Sequence, residues 1–190
     1  MKKMDLKKIE KATRLLLEGI GDDPNREGLL ETPKRVAKFY AETLEGMCYS
    51  NDELVAMYDK QFSVPTSDNM VVVTNIPLFS FCEHHLALMY NMKAHIAYVP
   101  KDKVIGLSKI SRIADMVAKR LQLQERICED IAYIMKEILQ TDSVAVIVSA
   151  EHGCVAARGI KKIGAVTKTE VISGAFKTDH NLLQRLYSQL

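Results

Sequence analysis

The sequence is poor in cysteine, with four among 190 residues, which excludes the disulfide-rich scaffolds of small secreted proteins. It contains no apolar run approaching the ~20 residues that span a bilayer. The charged start, from Met1 to Lys8, lacks the apolar core of a signal peptide. These absences predict a cytoplasmic protein whose cysteines are core residues, nucleophiles or metal ligands.

The sequence also lacks a large excess of charge of either sign, because 26 Lys and Arg residues are nearly balanced by 24 Asp and Glu residues. A balance so close to neutral argues against a general nucleic-acid coat, although it leaves room for a local basic pocket. We therefore predict neither a nucleic-acid nor a membrane partner. With 47% hydrophobic residues, the chain can bury a real core, and its length suits one structural unit with at most a small subdomain.

The hydrophobic pattern predicts one structural unit made of an N-terminal helical segment over residues 1–65 and a main domain over residues 66–190. Gly19 and Gly21 end the first helix, and Thr32 is the expected N-cap of the second, with Pro33 as its first helical residue. Helices are expected over residues 6–20, 32–46, 51–58, 108–121, 123–139 and 181–189, and strands over residues 70–76, 92–99, 143–150 and 166–173. This order predicts the α+β class with an antiparallel sheet.

Two polar clusters hold the residues best suited to chemistry. The first is Cys82-Glu83-His84-His85, and the second is Glu151-His152-Gly153-Cys154, directly after a predicted strand. Cys82 and His85 can share one face of a turn, so Cys154 could complete a Cys-His-Cys zinc site. Three protein ligands leave tetrahedral zinc an open position, where the pKa of water falls to about 7. His84 and His152 would then be acid–base groups beside the metal.

Spacing alone is equally consistent with cysteines that are packed in the core and bind no metal. Cysteine is among the most buried residue types, and the 69 residues between His85 and Cys154 match no zinc-finger spacing. A disulfide between Cys82 and Cys154 is the less favoured reading in a reducing compartment. Cys128 lies in an apolar helical pattern and is expected in the core.

Basic and polar residues at helix starts suggest an anion site. Ser108, Lys109 and Arg112 begin a predicted helix, where free backbone N–H groups favour an anion. Arg158 closely follows Cys154, and Arg35 lies in the first turns of an earlier helix. Each of these residues except Arg158, which is close to the candidate metal cluster, fits ordinary charge on a solvated surface better. Gln124 and Glu125 could meet the polar edge of a base, or simply begin an exposed helix.

Four motifs in one order resemble the signatures of the GTP cyclohydrolase I family. They are Cys82-Glu-His-His-Leu, Gly106-Leu-Ser-Lys-Ile-Ser-Arg, Gln122-Leu-Gln-Glu-Arg and His152-Gly-Cys-Val-Ala-Ala-Arg-Gly. Residues 27–38 also resemble the family's N-terminal helical segment. The resemblance runs from about Leu6 to the last helix, and four separate motifs in register make it specific.

The resemblance implies a role for each matching residue. The implied zinc ligands are Cys82, His85 and Cys154, and the implied catalytic residues are His84, His152 and Ser108. Gln124 and Glu125 would bind the guanine. The triphosphate and ribose would be held by Ser108, Lys109, Arg112 and Arg158, with Arg35 supplied by a neighbouring subunit.

The same resemblance implies a fold and a reaction. The fold is the tunnelling fold, an antiparallel sheet with helices packed on one face, in which the sheets of several subunits close a barrel within a homodecamer of two pentamers. The reaction is the hydrolytic opening of the guanine imidazole ring of GTP at C8 with release of formate. An Amadori-type rearrangement and ring closure then give 7,8-dihydroneopterin triphosphate, the first step of folate or pterin biosynthesis.

Residues 87–92 depart from the family pattern, which usually has a proline or phenylalanine and then a glycine there. We expect the hairpin to survive because Asn91 tolerates a left-handed conformation. Two rivals on the same fold, a nitrile-reducing enzyme of the queuosine pathway and a pterin synthase, lack this ligand set. A third rival, a non-catalytic oligomer stabilised by zinc, predicts a closed site with His84 or His152 as the fourth ligand.

Overall fold

The computed structural model describes residues 3–64 and 69–190. Packing divides the chain into two units between Tyr49 and Ser50. The domain boundary predicted at residues 65–66 lies outside the described residues, so that division stays a prediction. None of the helices in the described residues is long and apolar enough to cross a membrane.

The first unit contains two helices, α1 (Leu6–Gly19) and α2 (Thr32–Thr43), and short 3-10 turns at Glu27–Leu29 and Glu45–Cys48. Asp5 caps α1 by accepting a hydrogen bond from the Lys8 amide. Two details of α2 were predicted wrongly. Its N-cap is Glu31 and not Thr32, and it ends at Thr43 because Leu44, at φ −117°, leaves the helical conformation.

The second unit begins with α3 (Asn51–Tyr58), the helix predicted over the same residues. Ser50 and Glu53 form a reciprocal capping box there, a signal written entirely in local sequence. The remaining helices are α4 (Leu107–Ala118), α5 (Gln124–Leu139), α6 (Gly153–Ala156), α7 (Ala175–Thr178) and α8 (His180–Tyr187). The strands are β1 (Gln61–Ser63), β2 (Val71–Cys82), β3 (Leu88–Tyr98), β4 (Lys103–Ile105), β5 (Leu121–Gln122), β6 (Val144–His152) and β7 (Val166–Ile172).

Five of these strands form the main sheet in the order β5-β2-β3-β6-β7, and β1 pairs with β4 in a separate ribbon. Every pair in the main sheet is antiparallel except β2 with β5, which is parallel at Phe81 and Cys82. The prediction of an α+β protein with an antiparallel sheet is therefore confirmed. The sequence did not predict β1, β4, β5 or the short helices α6 and α7.

Strand β2 is longer than the predicted 70–76, since it continues through Pro77 to Cys82. Proline cannot donate to a ladder and is tolerated where a strand lies at a sheet edge. In the described residues, β5 pairs with β2 only at Phe81 and Cys82, so Pro77 lies beyond that pairing and pairs with Lys93 of β3 on the other side. The strand can therefore continue to Cys82, and this extension carries the first cluster to the sheet's end.

The core lies between the sheet and the two long helices. One face of β3 and β6 is fully buried, and α5 contributes the larger number of buried side chains against it. Cys128 is 1% exposed, its Sγ lies 3.3 Å from Thr169 Oγ1, and burial raises the pKa of its thiol to about 11. The expectation that Cys128 is a core residue is confirmed.

The two C-terminal helices cover the opposite face at one end of the sheet. Phe176, Leu182 and Leu186 pack there against Ala97 and Ala145. Away from them, β2 and β3 are bulged at two asparagines, Asn75 at φ 57° and Asn91 at φ 50°. The left-handed conformation predicted for Asn91 is confirmed, and it lies in a bulge inside β3 while Leu86, at φ 51°, turns the hairpin.

Gly174 is the tightest glycine in this packing. Its φ is +57°, and an added Cβ would lie 2.6 Å from backbone atoms of Asp142 and Ser143. A non-glycine residue in the left-handed conformation costs about 1–3 kcal/mol. We expect Gly174→Ala to lower the free energy of unfolding by more than that, because the backbone of Asp142 and Ser143 would have to shift to admit the Cβ. Urea unfolding followed by circular dichroism measures the change.

Gly159→Ala is the matched control, since Gly159 has φ +59° but no atom within 4 Å of an added Cβ. It incurs the conformational cost without the clash. Equal destabilisation by the two variants would show that the C-terminal helices do not pack as described.

Candidate metal centre and substrate site

Three chain segments meet where β2 and β6 end. Cys82 is the last residue of β2 and lies opposite Gln122 of β5, so the start of α5, two residues later, is close by. His152 is the last residue of β6 and lies opposite Met89 of β3. Sheet pairing thus brings Cys82, Gln124 and His152 together although they are far apart in sequence.

Cys82, His85 and Cys154 place one donor atom each within 4.8 Å of the others. The distance from Cys82 Sγ to His85 Nδ1 is 4.0 Å. A tight turn holds the two residues, because the Cys82 amide donates to Ala87 O and the Leu86 amide donates to Cys82 O. Cys154 reaches them from α6, whose Gly153 packs so closely on β3 that a Cβ would lie 3.0 Å from Leu88 O.

The chemistry of these donors fits a metal ion. Burial and the neighbouring Cys82 raise the pKa of the Cys154 thiol, because two adjacent thiolates are unfavourable without a cation between them. Two sulphurs and one imidazole form a donor set that binds zinc in preference to magnesium or calcium. The grouping of ligands expected from the sequence is therefore present, and a metal would draw the three atoms together.

Arg158 contacts one ring nitrogen of His85, a candidate metal ligand. Its Nη1 lies 2.8 Å from His85 Nε2, and since guanidinium only donates, Nε2 must be the acceptor. A metal on Nδ1 would leave the proton on Nε2, and a metal on Nε2 would take its lone pair. In either case, a metal bound at His85 would release the Arg158 side chain.

His84 lies beside Cys82 and His85 and is exposed. Its Nδ1 lies 3.7 Å from Cys82 Sγ, and its ring meets the His85 ring edge-on with centroids 6.2 Å apart. Glu83, one residue earlier, is held by Arg126 through a hydrogen bond of 2.7 Å. This bond lowers the pKa of Glu83 and ties the Cys82 turn to the first turn of α5.

His152 is more buried and has one close partner. Its Nε2 lies 2.7 Å from Gln124 Oε1. Burial lowers the pKa of His152, and the nearby carboxylate of Glu125 opposes the shift. Glu125 itself is exposed in the first turn of α5, whereas Gln124 is only 2% exposed.

The anion-binding candidates on α4 lie elsewhere on this chain. Lys109 Nζ donates to Tyr58 O at 3.2 Å, and Arg112 lines a groove of about 470 Å³ beside residues 73–77 of β2. The nearest of those residues, Pro77, precedes Cys82 by five strand positions, roughly 16 Å at 3.3 Å per residue. One chain therefore gathers the metal-site residues with Gln124, His152 and Arg158, and leaves Ser108, Lys109 and Arg112 apart. Arg35 belongs to the first unit and is exposed.

Sequence reasoning missed the residues that support this site. Asp130 of α5 accepts hydrogen bonds from Arg120 at 3.1 Å, from Gln122 at 3.0 Å and from Asn51 at 2.9 Å. Gln122 begins one of the four motifs, but Asn51, Arg120 and Asp130 belong to none of them. Only the mixture of polar residues on an otherwise apolar helix face could have drawn attention to Asp130.

Comparison with known proteins supports the resemblance seen in the motifs. Residues 9–190 match the family model described as GTP cyclohydrolase I. The chain is 54% identical to GTP cyclohydrolase 1 of Clostridium beijerinckii, over 96% of this chain and 95% of that protein. It is 55% identical to the protein of the same name from Clostridium botulinum strain Kyoto, over 98% and 99%. The Ruminiclostridium cellulolyticum protein is 56% identical, over 96% of each.

A match over this length confirms the predicted tunnelling fold and the prediction that the protein is an enzyme. It also agrees with the site, since three of the four motifs that first suggested the resemblance meet at the ends of β2 and β6, while the fourth lies on α4. The chain therefore belongs to the GTP cyclohydrolase I family.

Proposed function

We propose that the protein opens the guanine imidazole ring of GTP at C8, releases formate and forms 7,8-dihydroneopterin triphosphate. The observation that carries the proposal is the convergence of Cys82, His85 and Cys154 within 4.8 Å, beside two further histidines. A hydrolytic ring opening needs a nucleophilic water and proton donors, and this arrangement offers residues for both.

Zinc is the metal we propose for this site, held by Cys82, His85 and Cys154. When bound by three protein ligands, zinc supplies a Lewis acid that makes water nucleophilic near neutral pH. Release of Arg158 from His85 on metal binding would give a free guanidinium next to the metal, suited to a substrate phosphate or ribose oxygen.

His84 and His152, the two histidines of the site that are not proposed to bind zinc, are the proposed acid–base groups. His84, which is exposed beside Cys82, is the proposed proton donor to N7 as the ring opens. His152 is the second acid–base group, and Ser108 is proposed to assist the later rearrangement. Glu125 binds the guanine, because its carboxylate suits the N–H donors of that base. An adenine would leave this carboxylate unpaired, at a cost of about 1–3 kcal/mol or more.

The triphosphate site requires more than one copy of this chain. Lys109 and Arg112 lie well away from Cys82, and they would complete the site of a neighbouring subunit together with Ser108 and Arg35. Open edges support this assembly. The edge strand β7 is largely exposed, and β2 has no partner beyond β5 on its outer side in the described residues. Pairing between copies would close the sheets into the barrel of a homodecamer.

A zinc site with a purely structural role is the second candidate, and one distance favours it. His84 Nδ1 lies nearer to Cys82 Sγ, at 3.7 Å, than His85 Nδ1 does, at 4.0 Å. In that case His84 would be the fourth ligand, the site would be closed and no water could bind.

Metal removal tests the proposed activity. We expect chelated protein to lose GTP turnover and to regain it with zinc, measured through formate release and the near-ultraviolet absorbance of the pterin product. Cys154→Ser should lose bound zinc, whereas the matched control Cys48→Ser, in the first unit, should keep it. Turnover that persists in metal-free protein would contradict the proposal.

His84→Asn separates the catalytic site from the structural one. We expect it to keep its zinc content and its oligomeric state while turnover falls by about 10²- to 10⁴-fold, the usual contribution of a general acid. Zinc content is measured by atomic emission and assembly by light scattering. Loss of zinc or of assembly in this variant would instead assign His84 as a structural ligand.

A further inference from the structure

Gln124 is a polar side chain enclosed in the core at the start of α5. Only 2% of its surface is exposed, and its side chain makes three close polar contacts. Its Nε2 lies 3.0 Å from Val148 O and 3.1 Å from Thr167 O, and its Oε1 lies 2.7 Å from His152 Nε2. These contacts link the start of α5 to β7 and to β6, the strand that ends at His152.

The two backbone carbonyls fix the orientation of this amide. A carbonyl oxygen only accepts hydrogen bonds, so the NH₂ group must face Val148 O and Thr167 O. The flipped amide would place Oε1 against two carbonyl oxygens and leave them without donors in a buried position. Oε1 therefore faces His152.

That orientation determines which ring nitrogen of His152 carries the proton. Oε1 only accepts, so His152 Nε2 must donate. In the neutral imidazole the proton then lies on Nε2, and Nδ1 keeps its lone pair. A histidine that serves as a base needs a defined acceptor nitrogen, and the wrong tautomer in a catalytic histidine can cost orders of magnitude in rate.

The same contacts leave Gln124 without a free donor for substrate. Both hydrogens of its amide are directed at backbone carbonyls, and the group is enclosed. Glu125, the next residue, is exposed, and its carboxylate suits the guanine donors. The resemblance had assigned both residues to guanine, and the hydrogen bonds divide the two roles.

We propose that Gln124 is a positioning residue that holds His152 with its proton on Nε2 and Nδ1 free to accept, while base selection belongs to Glu125. The kinetic part of this inference rests on the proposed function, and the tautomer does not.

Gln124→Met tests the positioning role, because methionine has a similar length and no hydrogen-bonding amide. In zinc-loaded protein we expect kcat to fall by at least about tenfold, the lower end for a displaced acid–base group, with KM for GTP nearly unchanged. The matched variant Glu125→Gln should show the opposite pattern, with KM for GTP raised and discrimination against ATP reduced.

The spectroscopic test is independent of turnover. Solid-state ¹⁵N spectra of histidine-labelled, zinc-loaded protein distinguish the two ring nitrogens, and His152→Asn identifies the signal among the five histidines. We expect a single Nε2-protonated form in the unaltered protein and a mixture of tautomers in Gln124→Met. If GTP turnover is absent but this pattern holds, the proposed function fails and the positioning role stands.

Gln124→Glu is the control for the possibility that Gln124→Met loses activity only because it misfolds. Its protonated side chain can donate to one carbonyl and still accept from His152 Nε2–H, so the tautomer and most of kcat should return relative to Gln124→Met. The inference is overturned if Gln124→Met raises KM for GTP with kcat intact, or if His152 keeps one tautomer in that variant.

Discussion

Asp130 holds together the parts of the second unit that form the site. Its carboxylate accepts hydrogen bonds from side chains of α3, of β5 and of the segment between α4 and β5. Asp130 and Arg120 are 17% and 11% exposed, so neither charge is readily solvated if its partner is lost. An exposed pair such as Arg35 with Glu31, at 77% and 69%, constrains its surroundings far less. The Asp130 network therefore sets the place of β5.

The place of β5 in turn positions Cys82 and the turn that carries His85. Gln122, anchored to Asp130, pairs with Cys82 and accepts a hydrogen bond from the Glu83 amide. The Cys82 turn and the start of α5 are thereby fixed side by side. Gln124 then reaches β6 and β7, so the ends of β2 and β6 share one support. Such shared support suits a site whose donor side chains must be held in a defined orientation.

Local signals explain what the sequence predicted well. The helices predicted over residues 51–58 and ending at Leu139 match α3 and the end of α5, and the start of α3 is marked by a local capping box. Pairing between distant segments explains the failures. The two-residue β5 has no pattern of its own, and β2 continued past Pro77 only because of its place at the sheet edge. From their spacing alone, Cys82, His85 and Cys154 were as consistent with ordinary packing as with a metal site. Only the resemblance to a family assigned them as candidate ligands. The role of Gln124 depends on carbonyls of Val148 and Thr167, which no sequence pattern reports.

The account depends most on a metal held by three side chains with one position left for the reaction. The direct measurement is a crystal structure of the zinc-loaded protein, with anomalous scattering at the zinc edge to locate the ion. The account predicts zinc bound by Cys82, His85 and Cys154, a fourth position that no protein atom takes, and Arg158 released from His85. Zinc bound also by His84 or His152, or located away from these residues, would contradict it.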